Sequence, residues 1–291
     1  MTPSMAGKTF LVTGATHGVG EFAARELAAA GAEVLVHGRD PALGQRVVED
    51  IRAQTGNAKV SLVVADFASL ADVRRLAEEV KSRAPRLDGL LNNAGMVTDR
   101  RRTSRDGYEL TFAVNHLAPF LLTALLLDRL KASAPARIIN VGSDGHFHVR
   151  GLDFDDLHAQ RRYRTIQVYA RSKLCNIMFT RALARRLAGS GVTVNALTPG
   201  VVKSNLGQGT ILGLLAKLFF WRFSPVSEGG KTYIYVATSP DLEGKSGGYY
   251  SKCAPAPMSA AALNDADCER LWRVSEEMVG LTESEWSARP A

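Results

Sequence analysis

The stretch KTFLVTGATHGVG, residues 8–20, decides the fold of this chain. Residues 8–13 form an apolar run that predicts a buried strand, and a helical pattern begins at Gly18. The glycines between them permit positive φ and a close approach of the backbone to a ligand, and a helix N-terminus attracts anions through unpaired N–H groups. The spacing is G-x-x-x-G-x-G, which differs from the common G-x-G-x-x-G fingerprint. Because the turn follows the first strand directly, we favour a phosphate-binding loop over a purely structural turn.

The same alternation of strand and helix continues along the chain. Strand-like runs occur at residues 8–13, 33–37, 60–64, 87–91, 137–141 and 192–196, and helical patterns at 18–30, 41–55, 69–84, 106–132 and 165–188. The strand runs are almost continuously apolar, as expected where helices cover both faces of a sheet. We therefore predict an α/β fold, a doubly wound parallel sheet with right-handed crossovers, in a single domain over residues 1–291. After Gly200 the alternation stops, and residues 259–291 are expected to form a C-terminal helical extension.

Composition and charge limit the function classes. The chain has 291 residues, a net charge of +7, 46% apolar and 22% charged residues, which is typical of a folded globular protein. Its three cysteines form no C-x-x-C pair, and the N-terminus lacks a signal-peptide pattern, so we expect a cytoplasmic protein. The apolar runs at residues 117–127 and 211–223 are shorter than the roughly 20 residues that span a bilayer, so no transmembrane segment is expected. No nucleic-acid partner is expected, because the basic clusters lack interleaved aromatic residues.

The end of the second strand bears on the choice of cofactor. An acidic residue there would bind the ribose hydroxyls of NAD, whereas a basic residue accommodates the 2′-phosphate of NADP. This chain has His37-Gly38-Arg39-Asp40, and a guanidinium binds two phosphate oxygens at once. The sequence therefore favours NADP(H), with NAD(H) as the alternative if Arg39 instead pairs with Asp40 or caps a helix. His17, beside the glycine loop, either adds a polar contact or is incidental.

Polar and small residues follow the third and fourth strands. Asp66, in VVADF, could accept a hydrogen bond from an adenine amino group or could cap the helix that starts near Ser69. Residues 92–95, NNAG, follow the fourth strand. Their small side chains let a nucleotide lie close, and their amides can tie neighbouring strands, so we interpret this motif mainly as scaffolding.

Residues with acid–base chemistry follow in the second half. Tyr169 and Lys173 are four apart on a predicted helix and share one face. A phenol has a pKa of about 10, and a nearby ammonium favours the phenolate, so we expect Lys173 to lower the pKa of Tyr169. Ser143 places a hydroxyl just beyond the fifth strand, and Asn115 is a polar residue on an apolar helix face, which needs hydrogen-bond partners. A Y-x-x-x-K motif by itself occurs often by chance, and in that case the two side chains would lie on the surface without a catalytic role.

Together these motifs resemble the short-chain dehydrogenase/reductase family over about residues 7–252. The resemblance implies a Rossmann-type sheet that binds NAD(P)(H), and a catalytic tetrad that matches Asn115, Ser143, Tyr169 and Lys173. In that tetrad Ser143 would hold the reacting oxygen, Tyr169 would transfer its proton, Lys173 would also contact the nicotinamide ribose, and Asn115 would hold a water in a proton relay. The expected cofactor contacts are Gly14, Thr16, His17, Gly18, Val19, Gly20, Arg39, Asp66, Phe67, Asn93, Ala94, Gly95, Tyr169, Lys173, Pro199, Gly200, Val202 and Ser204.

One departure from the family pattern points to a branch. Ser143 and Tyr169 are 26 positions apart, about twice the usual gap, and this longer gap resembles the retinol dehydrogenase and protochlorophyllide reductase-like branch. The extra segment carries His146, His148, His158 and several aspartates, which could ligate a metal. We expect no metal, because no matching ligand cluster occurs elsewhere and the chemistry does not need one.

The substrate is expected to be a small lipophilic carbonyl or alcohol. Residues 204–225 match the family's substrate lid, and the part from 206 to 223 is apolar on all sides, which fits a lipophilic substrate, a partner subunit, a peripheral membrane contact or ordinary packing. The main prediction is a retinol dehydrogenase-like carbonyl reductase. The alternatives are a light-dependent or other C=C reductase and a catalytically silent cofactor-binding regulator. Residues 121–127 are apolar on all faces and form either a homodimer interface or deep core.

Overall fold

The computed structural model describes residues 2–202 and 224–281. Within them the strands are β1 Thr9–Val12, β2 Glu33–Gly38, β3 Val60–Val64, β4 Gly89–Asn92, β5 Ala136–Val141, β6 Val192–Leu197, β7 Tyr249–Ser251 and β8 Ala254–Pro255. They form one sheet in the order β3-β2-β1-β4-β5-β6-β7-β8. Every neighbouring pair is parallel except β7–β8. The predicted doubly wound parallel α/β fold is confirmed, with an antiparallel strand added at one edge.

Helices connect the strands and cover the sheet. They are α1 Gly18–Ala29, α2 Pro41–Thr55, α3 Leu70–Arg83, α4 Leu110–Ala132, α5 Thr165–Arg186, α6 Val226–Thr238, α7 Ala260–Leu263 and α8 Asp265–Val279. A 3-10 helix, Asp144–His148, lies in the long segment between Ser143 and Tyr169. The sequence pattern did not indicate this element or β8.

Each face of the sheet has its own hydrophobic core. Along β1, Phe10 and Val12 pack into the core beneath α1, α2 and α6, whereas Leu11 packs into the core beneath α3, α4, α5 and α8. Because successive strand residues point to opposite faces, both sets are buried, which explains the continuous apolar runs. The helices pack on the two faces of the sheet, and in folds of this kind ligands bind at the carboxyl ends of the strands.

Helix α4 contains a π-helical turn, Ala113–Leu117, and continues through Pro119. Pro119 does not interrupt this helix, which is unbroken for 23 residues and is long and apolar enough to cross a membrane. A proline has no N–H for the carbonyl four residues earlier, and the wider π turn accommodates that loss. Most of its apolar window, 89%, is buried inside the protein, as in the core helix of a globular fold.

The apolar residues 121–127 lie within this same helix. Leu121, Leu122, Leu126 and Leu127 are all 0% exposed and belong to the core beneath α3, α4, α5 and α8. Of the two roles left open for this segment, deep core is the one that the structure shows. These four leucines do not form an exposed face for a second subunit.

Candidate active site

The glycine loop joins β1 to α1 in a conformation that requires glycine. Gly14 and Gly18 have φ values of +61° and +64°, which disfavour residues with a Cβ. A Cβ added to Gly14 would also lie 2.7 Å from the Cα of Ala94. Helix α1 starts at Gly18, and its N-cap residue, His17, accepts no hydrogen bond from the first turn. The first N–H groups of α1 therefore lack a side-chain acceptor, and such a helix end attracts a phosphate group.

Asn93 holds this loop from behind. Its Nδ2 donates to the carbonyl oxygens of Thr13 and Gly14, at 2.7 and 3.0 Å, and its Oδ1 accepts from the hydroxyl of Tyr233. Gly20 faces the same amide, since a Cβ there would lie 2.3 Å from Asn93 Nδ2. The Asn93 side chain, expected to touch the cofactor, is thus engaged within the protein, and Gly20 is required for packing. This agrees with the scaffolding interpretation of the NNAG motif.

Arg39 stands at the end of β2 with its side chain exposed. Among the described residues it makes no ion pair, and Asp40 instead caps α2 by accepting from the Leu43 N–H at 3.0 Å. The alternative that Arg39 pairs with Asp40 is therefore not what the structure shows. Burial lowers the pKa of His17, Glu21 opposes this shift, and the charge of Arg39 lowers the pKa further. Two cationic or potentially cationic groups thus lie together beside the glycine loop.

Asp66 and Phe67 follow β3 beside that corner of the site. The Asp66 carboxylate accepts from the Ala68 N–H at 3.0 Å and lies 3.6 Å from the Arg105 guanidinium. Ser69 is the residue that caps α3, so the helix-cap role considered for Asp66 is wrong. The Phe67 ring is 4% exposed and stacks on His37 with centroids 4.4 Å apart. The buried Phe67 ring thus packs beside the residues at the end of β2 that the sequence analysis expected to contact the cofactor.

Ser143 and Tyr169 come together where the 3-10 helix approaches α5. Ser143 caps the 3-10 helix, and its Oγ accepts from the Gly145 N–H at 3.1 Å. A Cβ on Gly145 would lie 3.3 Å from Ser143 Oγ and 3.9 Å from the Cα of Ala170. The Ser143 hydroxyl also interacts with the Tyr169 phenol and favours its ionised form. Because the Gly145 N–H occupies one lone pair of Ser143 Oγ, the hydroxyl proton of Ser143 remains to be donated.

Lys173 lies one helical turn after Tyr169 and is buried. Its Nζ donates to the Val141 carbonyl at 3.0 Å and lies 5.7 Å from the centre of the Tyr169 ring. Burial lowers the pKa of Lys173 to about 8, because an apolar environment disfavours the ammonium. Burial also raises the pKa of Tyr169 to about 12, although the interaction with Ser143 opposes this shift. The net shift of the Tyr169 pKa is thus upward, with burial as its largest cause, so the phenol is neutral at pH 7. That Lys173 lowers this pKa stays a prediction.

Asn115 links α4, the loop after β4 and α5. Its Oδ1 accepts from the Met96 N–H at 2.8 Å, and its Nδ2 donates to the Met96 carbonyl and to Ser172 Oγ. Ser172 Oγ donates in turn to the carbonyl of Tyr169 at 2.7 Å. A Cβ on Gly95 would lie 3.4 Å from both Asn115 Oδ1 and Lys173 Nζ. The structure therefore brings Asn115 to Lys173, with its side-chain amide engaged by protein groups.

Two features of this network were missed in the sequence. Ser172 lies between Tyr169 and Lys173 in the sequence and is 1% exposed. The available sequence signal was a polar residue within a predicted helix, next to apolar residues that pack in the core. Pro119 stands four residues after Asn115, so the Asn115 carbonyl has no amide donor at the usual α-helical position. This spacing was the available signal for the π turn.

A cavity of about 440 Å³ lies beyond the ends of β6 and β7. Its described lining includes Asp144, next to Ser143, together with Pro199, Gly200 and Val201. Gly200 has a φ of +72° and donates its N–H to Thr198 Oγ1 at 3.1 Å. Val202 packs against α6, where a Cβ on Gly229 would lie 2.5 Å from it. Ser204 and the apolar residues 206–223 lie outside the described residues.

Two of the histidines that were weighed as metal ligands, His146 and His158, make hydrogen bonds within the protein. His146 Nδ1 donates to the Ser143 carbonyl at 2.7 Å, and its Nε2 accepts from the Ser259 N–H at 3.1 Å. His158 Nδ1 accepts from the Glu109 N–H at 3.3 Å. Over residues 2–202 and 224–281, no group of three His, Cys, Asp or Glu side chains is placed to hold a metal ion.

Comparison with known proteins gives a consistent result. A family model for the short chain dehydrogenases matches residues 8–211. Retinol dehydrogenase 14 of Homo sapiens is 42% identical over 296 residues, an alignment that covers 95% of this chain and 88% of that protein. A solved structure of an uncharacterized protein from Mycobacterium paratuberculosis has a TM-score of 0.77 at 30% identity and covers 96% of both chains. The RhlG/NADP active-site complex of Pseudomonas aeruginosa has a TM-score of 0.69 at 27% identity, covering 86% of this chain and 96% of that chain.

Proposed function

Because this chain belongs to the short-chain dehydrogenase/reductase family, in its retinol dehydrogenase-like branch, we propose that it is an NADP(H)-dependent reductase of lipophilic aldehydes and ketones. Its membership makes it an oxidoreductase that acts on CH–OH and C=O groups with a nicotinamide cofactor. The choice of NADP(H), the direction of reduction, the lipophilic substrate and the roles of individual residues are parts of the proposal. The observation that carries it is the position of the Tyr169 phenol beside the buried Lys173, on the helix that the segment after Ser143 approaches.

The residues at the glycine loop fit a nicotinamide dinucleotide. The uncapped N-terminus of α1 would take the pyrophosphate, and Arg39 and His17 would face the 2′-phosphate. A solved relative in complex with NADP supports this choice over NAD. When bound, the cofactor supplies the hydride, and the protein supplies orientation and acid–base groups.

The acid–base groups favour reduction. Since the pKa of Tyr169 is raised to about 12, the phenol holds its proton at neutral pH and can donate it to a substrate oxygen. Ser143 would donate a second hydrogen bond to the same oxygen, which holds the carbonyl in place and stabilises the charge that develops there. Lys173 and Asn115 would maintain this arrangement through Val141 and Ser172, and the Lys173 ammonium would supply the proton that replaces the one given up by Tyr169.

Three exposed apolar side chains lie close in sequence to the expected site residues. Phe147 lies four residues after Ser143, Ile166 lies three residues before Tyr169, and Val201 follows Gly200; they are 48, 60 and 66% exposed. Large apolar side chains exposed around a cleft are typical of a site for an apolar ligand. The retinol dehydrogenases among the relatives support the same class. We therefore propose a bulky apolar aldehyde or ketone as substrate.

The proposed setting is the cytoplasm. Cys175, Cys253 and Cys268 are all free thiols, which supports a reducing compartment. The burial of α4 within the core supports its interpretation as part of the domain.

A substrate panel tests this function. Purified protein is mixed with NADPH and with aldehydes and ketones matched in reacting group but graded from two-carbon compounds to retinal, and NADPH absorbance is followed. The proposal expects the specificity constant to rise with apolar size, and NADPH to be used in preference to NADH. Consumption only with small polar carbonyls would contradict the substrate class, and reduction of a C=C bond with the carbonyl retained would contradict the reaction.

A further inference from the structure

His37 is a buried polar residue for which the proposed function gives no chemical role. It lies in β2, is 3% exposed, and contacts three groups beside the glycine loop: Gly14, Ala65 and Phe67. Its Nδ1 accepts from the Gly14 N–H at 3.1 Å, and its Nε2 lies 3.1 Å from the Ala65 carbonyl. Its ring stacks on Phe67 at a centroid distance of 4.4 Å and an interplanar angle of 20°.

These contacts allow only one protonation state. A backbone N–H can only donate, so Nδ1 must carry a lone pair, and a carbonyl can only accept, so Nε2 must carry the proton. Burial lowers the pKa of His37 to about 4, although the Ala65 carbonyl and Asp66 oppose this shift. The imidazole is therefore neutral at physiological pH, with its proton on Nε2.

We infer that His37 is a positioning residue that sets the distance between the glycine loop, which would bind the cofactor phosphates, and Arg39. Gly14 opens the loop, and Arg39 lies two residues after His37 on the same strand end. Between them, a Cβ on Gly38 would lie 2.3 Å from Thr16 Cγ2, so the strand end and the loop are in direct contact. The bridge from Gly14 through His37 to Ala65 fixes three strand ends, β1, β2 and β3, as one unit.

The consequence for cofactor binding rests on the proposed preference for NADP(H). A cofactor with a 2′-phosphate must meet the loop and Arg39 at the same time, whereas NADH has no 2′-phosphate for Arg39 to bind. Loosening the bridge therefore weakens NADPH binding more than NADH binding. The maximal rate changes little, since His37 does not touch the groups around Tyr169 in the described structure.

The first test uses the wild-type protein without cofactor. Long-range ¹H–¹⁵N NMR of the ¹⁵N-histidine-labelled protein reports the tautomer of each imidazole, and His37→Asn identifies the His37 signal by its loss. We expect a neutral ring protonated on Nε2 that does not titrate near about 6.5, the ordinary histidine value. A His37 signal protonated on Nδ1, or one that titrates near that value, overturns the inference. This result does not depend on NADP(H) binding, so it separates failure of the inference from failure of the proposed function.

The second test compares variants. Asn carries an acceptor at the position of Nδ1, Gln carries a donor near the position of Nε2, and Phe keeps only the stacking on Phe67. We expect the amide-exchange rate of Gly14 in the cofactor-free protein to rise about tenfold in His37→Phe and His37→Gln, because both variants lose the hydrogen bond to the Gly14 N–H. The rate should stay near the wild-type value in His37→Asn. The Kd for NADPH should rise about tenfold in the same two variants with a smaller change for NADH. Equal exchange rates in the Asn and Phe variants would overturn the inference.

Discussion

Replacing Arg39 with Gln tests the proposed source of cofactor preference. Arg39 is exposed and makes no ion pair within the described residues, so its removal breaks no salt bridge there and should leave the thermal stability nearly unchanged. Hydrogen bonds to charged groups contribute about 1.5–3 kcal/mol. The Kd for NADPH should therefore rise roughly 10- to 150-fold, since each 1.4 kcal/mol is about a factor of ten. The Kd for NADH should stay within about twofold, because NADH has no 2′-phosphate.

Fluorescence titration of the bound nicotinamide measures both constants. Arg46→Gln is the matched control, because Arg46 is also an exposed arginine but lies within α2. The wild-type NADPH affinity should fall with added salt and that of Arg39→Gln should fall less, since exposed charges are screened. An equal loss of NADPH and NADH affinity, or no loss at all, would refute the assignment of Arg39 to the 2′-phosphate.

Three further changes probe the stability of the domain and the helix that carries Asn115. Burial alone would raise the pKa of Asp88, but hydrogen bonds from Arg86 and Lys8 outweigh it and hold the pKa below 3.8. The ionised carboxylate therefore stabilises the fold above that pH, and this stabilisation is lost as the pH falls through the lower folded value, so the melting temperature of Asp88→Asn should fall less than that of wild type between neutral and acidic pH. An identical pH dependence in the two proteins would contradict this role of Asp88. Glu109 caps the start of α4 through the N–H groups of its first turn, so Glu109→Ala should cost about 1–2 kcal/mol and lower the melting temperature by a few degrees in calorimetry. Pro119→Ala supplies an amide four residues after Asn115 and should regularise the π turn, which we expect to lower kcat without lowering the melting temperature; an unchanged kcat would show that the π turn is dispensable.

The sequence predicted the strand and helix pattern closely, because strands that are buried on both faces of a sheet consist of almost continuous apolar runs. Residues 60–64 and 41–55 were predicted with the bounds that the structure shows. The added edge strand β8 was missed because it has only two residues, both exposed. Such an edge has no hydrophobic pattern from which it could be recognised.

The arrangement of the site could be predicted only in part. A strand end singles out Ser143, helical spacing links Tyr169 to Lys173, and Asn115 is a polar residue on an apolar face; the resemblance to the family joins the four into one site. In the structure Lys173 lies near both Tyr169 and Asn115. The direction of the Tyr169 pKa could not be predicted, because it depends on burial by neighbours distant in sequence. The same holds for Asn93, whose partner Tyr233 is 140 residues away.

The most direct test of the account is the turnover of Tyr169→Phe with NADPH and an apolar aldehyde, measured together with NADPH affinity. The phenyl ring fills the same space without the hydroxyl that gives the proton. Since positioned general acids contribute about 10²- to 10⁴-fold, turnover should fall by at least about a hundredfold while the Kd for NADPH stays within a few-fold of wild type. Turnover close to wild type, with NADPH bound equally well, would contradict the claim that Tyr169 is the proton donor.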